Sequence, residues 1–135
     1  MGLSRRACLV VLVQTAAAGV PLRAHHSLSG VYDSSNRLSL DATVVEFRFV
    51  NPHPLLIVTA AASGERPAEW RLEMDNRFEL EAIGMTARTF ARGDRVVVNG
   101  SRGHGNAHAL YIRRLDRPSD GLWYEQVGSS PRMGK

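Results

Sequence analysis

The sequence predicts an all-β domain, a small five-stranded OB-like Greek-key barrel with one short helix between its third and fourth strands. Three observations predict this fold. Short segments alternate apolar and polar residues, as half-buried strands do. The segments come in the order of three strands, one helix and two strands. The first strand is long and changes its phase of alternation, which marks a bend that serves both halves of a barrel. An open sandwich of similar strands is the alternative.

The first two strands surround a proline-rich break. Every second residue from Leu38 to Val44 is apolar. From Val45 to Phe49 the apolar residues occupy the other set of alternate positions. Asn51-Pro52-His53-Pro54 ends the first strand, because proline cannot donate a hydrogen bond to a sheet. The second strand, Leu55–Ala60, is rich in β-branched and apolar residues, as strands are.

The third strand and the helix follow a turn. The third strand, Glu69–Met74, alternates cleanly, and its core-facing side chains are predicted to be Trp70, Leu72 and Met74. The helix comes next, with Asp75 suited to act as its N-cap and Gly84 suited to close it. One short helix therefore separates the third strand from the fourth.

The last two strands of the predicted barrel are Arg95–Gly100 and Ala107–Leu115, joined by a hairpin turn at Ser101–Asn106. Leu122–Tyr124 adds an edge strand or a packing flap. Residues 128–135 are expected to form a disordered tail. The sequence thus places one domain at residues 25–127, and a monomer is expected.

Residues 1–24 have the order of a secretory signal peptide. Basic Arg5-Arg6 precedes a short apolar run, and small residues precede a cleavage site that we place after Ala24, with Ala18 as the alternative. Ser4-Arg5-Arg6 also resembles a twin-arginine signal. The apolar run is shorter than the about 20 residues that span a bilayer, so no transmembrane segment is expected. We expect a periplasmic or secreted protein.

Charge and cysteine content exclude two classes of function. The formal net charge is +4, but residues 1–24 carry three arginines and no acid, so their removal lowers it to +1. A nearly neutral domain attracts a phosphate backbone weakly, so nucleic acid is not an expected partner. The single cysteine, Cys8, lies in the signal segment, so the processed chain would have no thiolate ligand or cysteine nucleophile.

Three of the five histidines form the predicted metal site. Cleavage after Ala24 would make His25 the first residue, whose α-amine and ring Nδ1 can chelate one ion. The imidazole of His53 would complete a three-nitrogen site that suits copper, with zinc as the alternative metal. His26 is a third ligand or an outer group. Glu73 and Met74 are further oxygen and sulfur candidates, although Met74 is expected to face the core. Alternatively, the two histidines only begin a flexible tail and His53 only bonds a backbone carbonyl.

The other two histidines flank Gly105-Asn106 on the predicted hairpin tip, where imidazoles are usually solvated. We therefore leave His104 and His108 out of the site. No phosphate-binding loop, Rossmann glycine pattern or carboxylate pair typical of a hydrolase stands out. The sequence predicts no catalytic residue and no cofactor other than the metal ion.

Five segments together carry a family resemblance. They are Ala24-His25-His26-Ser27, Tyr32-Asp33, Asn51-Pro52-His53, Trp70 with Glu73-Met74, and Gly93–Gly100. In this order they resemble a family of small exported bacterial proteins of unknown function, domain-of-unknown-function family 6152. The resemblance implies export and a small β-barrel, and it implies no activity. His104 and His108 depart from the family pattern.

Three functions stay open at this point. The first is an exported, periplasmic β-barrel that binds a metal ion, copper preferred, for carriage, buffering or sensing. The second is a non-metal binding module for an envelope glycan, peptide or protein partner, whose surface would include Arg48, Glu69 and Arg71. The third is a copper-dependent oxidase, which rests on the analogy with N-terminal histidine copper sites alone.

Overall fold

A computed structural model describes residues 28–128 and 130–135 of the chain, and these residues are mostly β-strand. The proposed signal segment, His25 and His26 lie outside the described residues. The elements in chain order are α1 (Leu28–Val31), β1 (Tyr32–Arg48), β2 (Leu55–Ala60), β3 (Ala68–Glu73), α2 (Arg77–Ala82), β4 (Arg95–Gly103), a 3-10 turn (His104–Asn106), β5 (Ala109–Arg117), β6 (Leu122–Val127) and β7 (Ser130–Gly134).

Five strands close into a ring. The seven-stranded sheet has the order β3-β2-β1-β4-β5-β6-β7, and a further pairing of β3 with β5 closes a ring through the strands β1 to β5. This closing pair is parallel, from Arg71 opposite Ala109 to Glu73 opposite Tyr111, whereas the other pairs are antiparallel. The all-β class and the helix between β3 and β4 are confirmed, and the OB-like assignment stays a prediction.

Strand β1 is long enough to serve two partners. It pairs with β4 from Tyr32 to Thr43 and with β2 from Ala42 to Arg48. The register shifts between Val44 and Glu46, at the point where the apolar pattern changes phase. The predicted bend in the first strand is therefore confirmed as a β-bulge.

The core lies inside the ring and draws on every ring strand. Trp70, Leu72 and Met74 are completely buried, as the alternation in β3 predicts. They pack with buried residues of the neighbouring strands and of α2, including Leu40, Leu56, Leu80, Val98, Leu110 and Ile112. Burial of this apolar surface is the main force that holds the barrel closed.

Helix α2 lies where it was predicted, but its N-cap is a different residue. Asn76, and not Asp75, is the N-cap of α2, because the Asn76 side chain accepts the backbone N–H of Glu79. Gly84 follows the helix with a φ of 89°, the left-handed conformation that glycine adopts readily. Helix α2 has six residues, and within the described residues no helix has the length and apolar character to cross a bilayer.

The C-terminal residues differ from the prediction. Instead of a disordered tail at residues 128–135, Ser130–Gly134 forms β7 and pairs with β6 from Trp123 to Val127. Pro131 is buried, and Met133 packs against the core, so this segment has apolar contacts that hold it. The predicted turn at Ser101–Asn106 is also shorter, because β4 continues to Gly103.

Candidate functional site

The loop between β1 and β2 is fixed to the end of β3 and the start of α2. The carbonyl of Pro52 accepts the N–H of Arg77 at 3.0 Å, and the carbonyl of Pro54 accepts the N–H of Met74 at 3.0 Å. Prolines suit this loop because they lack an N–H that would need a partner. These two bonds place His53, which lies between the prolines, beside the last residues of β3.

The His53 ring is oriented by two acceptors on one nitrogen. Its Nδ1 lies 2.9 Å from Oε1 of Glu73 and 3.1 Å from the carbonyl oxygen of Met74. Because both neighbours can only accept, the network assigns the proton to Nδ1. The neutral ring then has its lone pair on Nε2, and within residues 28–128 and 130–135 no group hydrogen-bonds to Nε2.

The Glu73 carboxylate is held from its other side by Tyr32. The Tyr32 hydroxyl donates to Oε2 of Glu73 at 2.5 Å, and Tyr32 is only 7% exposed. Burial, and then the hydrogen bond with Glu73, raise the pKa of Tyr32 well above its ordinary value, so the hydroxyl stays protonated. Tyr32, Glu73 and His53 thus form a continuous chain of hydrogen bonds.

These residues line a half-open cleft of about 330 Å³. One part of the lining is apolar and consists of Leu28, Val31, Pro52 and Leu55, whereas the polar part consists of Tyr32, His53, Arg71 and Glu73. Arg71 is exposed, and it forms no ion pair with another described residue. The cleft therefore combines an apolar wall, one oriented imidazole, one carboxylate and one guanidinium.

More carboxyl groups lie near His53 at the start of α2. Partial burial and the adjacent Asp75 carboxyl raise the pKa of Glu79, whereas His53 acts to lower it. Asp75 itself accepts the backbone N–H of Asn76 at 2.7 Å. Together with Glu73, these acids make the surroundings of His53 favourable for a cation.

The structure places one of the three predicted metal ligands. His53 lines the cleft, while His25 and His26 lie outside the described residues. Leu28, three residues after His25, also lines the cleft. Among the described residues, no group of three or more His, Cys, Asp or Glu side chains is arranged to hold a metal ion. The predicted site therefore depends on the two N-terminal histidines.

The remaining histidines are exposed, and neither lines the His53 cleft. His104 contacts the carbonyl of Ser29 at 3.1 Å. The ring of His108 stacks on Trp70 with centroids 4.8 Å apart, and its Nε2 lies 3.3 Å from Glu65. The sequence indicated no such contacts, because they join His108 to residues that lie far from it in the chain. His108 is a packing residue at the barrel surface.

Sequence reasoning found His53 and Glu73 but not how they are connected. Tyr32 lies 41 residues before Glu73, so no local pattern indicated their bond. Arg71 was expected on an exposed strand face, and it is exposed, but its place in the cleft depends on α1 lying nearby. Only the closed ring of strands brings Tyr32 next to Glu73 and Arg71.

Comparisons with known proteins give a family and no activity. No curated protein and no solved structure matches the chain. The model of a family of unknown function, DUF6152, matches residues 12–111, which is well over half of the chain. This range includes the residues of the His53 cleft. The chain therefore belongs to the family of unknown function DUF6152.

Proposed function

We propose that the protein is exported and binds a metal ion, copper preferred, through His53, His25 and His26. The observation that carries this proposal is the hydrogen bonding of the His53 ring. Two acceptors hold the proton on Nδ1, which leaves the lone pair of Nε2 for a ligand bond. The role would be metal carriage, buffering or sensing.

Glu73 supports the proposal as the outer partner of a metal-binding imidazole. Histidines that bind metals usually donate their second N–H to a carboxylate or a carbonyl, which orients the ring and increases its basicity. His53 has both kinds of acceptor, and Tyr32 fixes the carboxylate in turn. Such a rigid, preoriented ligand is typical of a binding site.

The segment between His25 and Leu28 is short enough for the N-terminal histidines to reach the same cleft. Three residues span at most about 10 Å, and Leu28 already lies on the cleft wall. Cleavage after Ala24 would expose the amine of His25, whose ordinary pKa of about 7.7–8.0 lets a metal ion displace its proton. The amine, the ring of His25 and the ring of His53 would supply three nitrogens, a set that suits Cu(II).

A Cu(II) titration against a competing chelator tests the assignment of His53. We expect His53→Ala to weaken Cu(II) binding by more than about 100-fold, because even the outer partners of metal ligands contribute about 10–100-fold. His108→Ala is the matched control, since this exposed imidazole does not line the cleft. Equal Cu(II) affinity in the two variants would contradict the proposal.

His25→Ala tests the N-terminal half of the site in the processed protein. The variant keeps the α-amine but loses the chelating ring, so Cu(II) affinity should fall strongly, and the fall should be smaller in a chain that keeps its signal segment. A loss of affinity that is the same whether or not the signal segment is present would argue against chelation by the terminal amine.

A further inference from the structure

The His53 cleft has the size and lining of a site for a small organic molecule. Its volume of about 330 Å³ is within the range of about 300–1,000 Å³ that is common for such sites. Leu28, Val31 and Leu55 supply an apolar wall, and few polar groups stand beside it. A bare metal ion would make no contact with these apolar side chains.

Arg71 is the polar group that the metal proposal does not use. Other arginines on this barrel pair with carboxylates, among them Arg48, Arg102 and Arg117. Arg71 has no such partner among the described residues. Glu73, two positions along the same strand, is already engaged by His53 and Tyr32 through its two oxygens. The Arg71 guanidinium is thus left for an external anion.

We propose that the cleft binds a small apolar molecule with a single carboxylate, which pairs with Arg71 while the apolar body packs against Val31 and Leu55. A guanidinium matches a carboxylate with two parallel hydrogen bonds. A single negative charge is favoured because the Glu73 carboxylate lines the same cleft and repels a second one. This proposal concerns the same cleft as the metal proposal, but it rests on Arg71 and the apolar wall and needs no metal.

Benzoate is a suitable probe, titrated into isotope-labelled, metal-free protein in the presence of a chelator and followed by NMR. We expect saturable shifts of the Val31 and Leu55 methyl signals. Benzyl alcohol, which has the same ring without the charge, should bind about ten-fold more weakly, the effect of losing one charge-assisted hydrogen bond. Inorganic phosphate should not shift these methyl signals.

Arg71→Met keeps an apolar stem and removes the charge, so benzoate affinity should fall by about ten-fold or more. Arg88→Met is the matched control, because Arg88 is also exposed and lies on the loop after α2, outside the cleft lining. Equal benzoate affinity in both variants, equal affinity for benzyl alcohol, or no saturable shift of the cleft methyl signals would overturn the proposal.

The two proposals can fail separately. Arg71→Met should still bind Cu(II), because Arg71 is not among the proposed ligands. If the unaltered protein binds benzoate but no Cu(II), only the metal proposal falls. If it binds Cu(II) but gives no benzoate shifts in the presence of chelator, only the carboxylate site falls.

Discussion

The Nδ1 atom of His53 lies 2.9 Å from Oε1 of Glu73, and this contact joins the β1–β2 loop to the end of β3. The Tyr32 hydroxyl donates to the second oxygen of the same carboxylate, so the start of β1 takes part as well. A carboxylate held from both sides cannot rotate freely. It fixes the imidazole in one tautomer and one orientation, as a metal ligand requires.

Glu73→Gln should weaken Cu(II) binding about 10–100-fold, as the loss of an outer carboxylate partner does in other metal sites. The amide keeps the size of the side chain but loses the negative charge beside the His53 ring. Chelator competition measures the change. Glu69→Gln, an exposed change on the same strand, should leave affinity unaltered. Weakening of equal size in both variants would refute the specific role of Glu73.

Tyr32→Phe should lower the free energy of unfolding by about 1–2 kcal/mol. The variant removes a hydrogen bond to a charged group, and the value is at the low end for such bonds because Glu73 is still partly exposed to water. Urea unfolding measures the loss. Tyr111→Phe is the control, since its hydroxyl donates to no described residue, and it should lower stability less than Tyr32→Phe does.

Stability should fall as the pH rises past 10, the ordinary tyrosine pKa. Burial raises the pKa of all three tyrosines, Tyr32, Tyr111 and Tyr124, above that value. A raised pKa in the folded state gives stability that is complete below the unfolded pKa and is lost as pH rises towards the folded pKa. Lys135 is the only lysine, so few other groups titrate in this range.

The measurement for this prediction combines two signals during an alkaline titration. Tyrosinate absorbance should appear together with the loss of the folded circular dichroism signal, because the tyrosines ionise only when the barrel opens. Gradual ionisation with a midpoint near pH 10 in a protein that stays folded would show that the tyrosines are not protected.

Gly100→Ala should lower the free energy of unfolding by about 1–3 kcal/mol, the cost of overpacking a tight interior. A Cβ at Gly100 would collide with the carbonyl oxygen of Tyr111 and with the Leu110 side chain. Gly30→Ala is the matched control, because a Cβ there meets no atom within 4 Å. Thermal unfolding compares the two, and equal melting temperatures would contradict the close packing of β4 against β5.

The alternation of apolar and polar residues predicted the bend in β1 and the bounds of β2. The phase change in β1 became the bulge between Val44 and Glu46, and β2 has the predicted bounds Leu55–Ala60. The prediction of a disordered tail was wrong because Ser130–Gly134 contains a proline and a charged arginine and has no clear alternation of apolar and polar residues. Its strand forms only because β6 offers an edge to pair with.

In the candidate site, too, the sequence indicated single residues but not their long-range contacts. His53 stands out in the sequence because two prolines flank it, and Glu73 because it ends a regular strand. Their direct contact, the hydrogen bond of Tyr32 to Glu73, and the entry of Arg71 and Leu28 into one cleft are long-range consequences of the folded barrel. No periodicity or spacing encodes such contacts, which is why the cleft emerged only from the structure.

The most direct test of the metal proposal is an intact mass measurement of the protein after export, under native conditions, with and without an equimolar amount of Cu(II). The proposal predicts a chain that begins at His25 and retains one copper ion, and a His53→Ala variant that begins at the same residue and does not retain it. A chain that begins elsewhere, or copper retention that does not depend on His53, would contradict the proposed site.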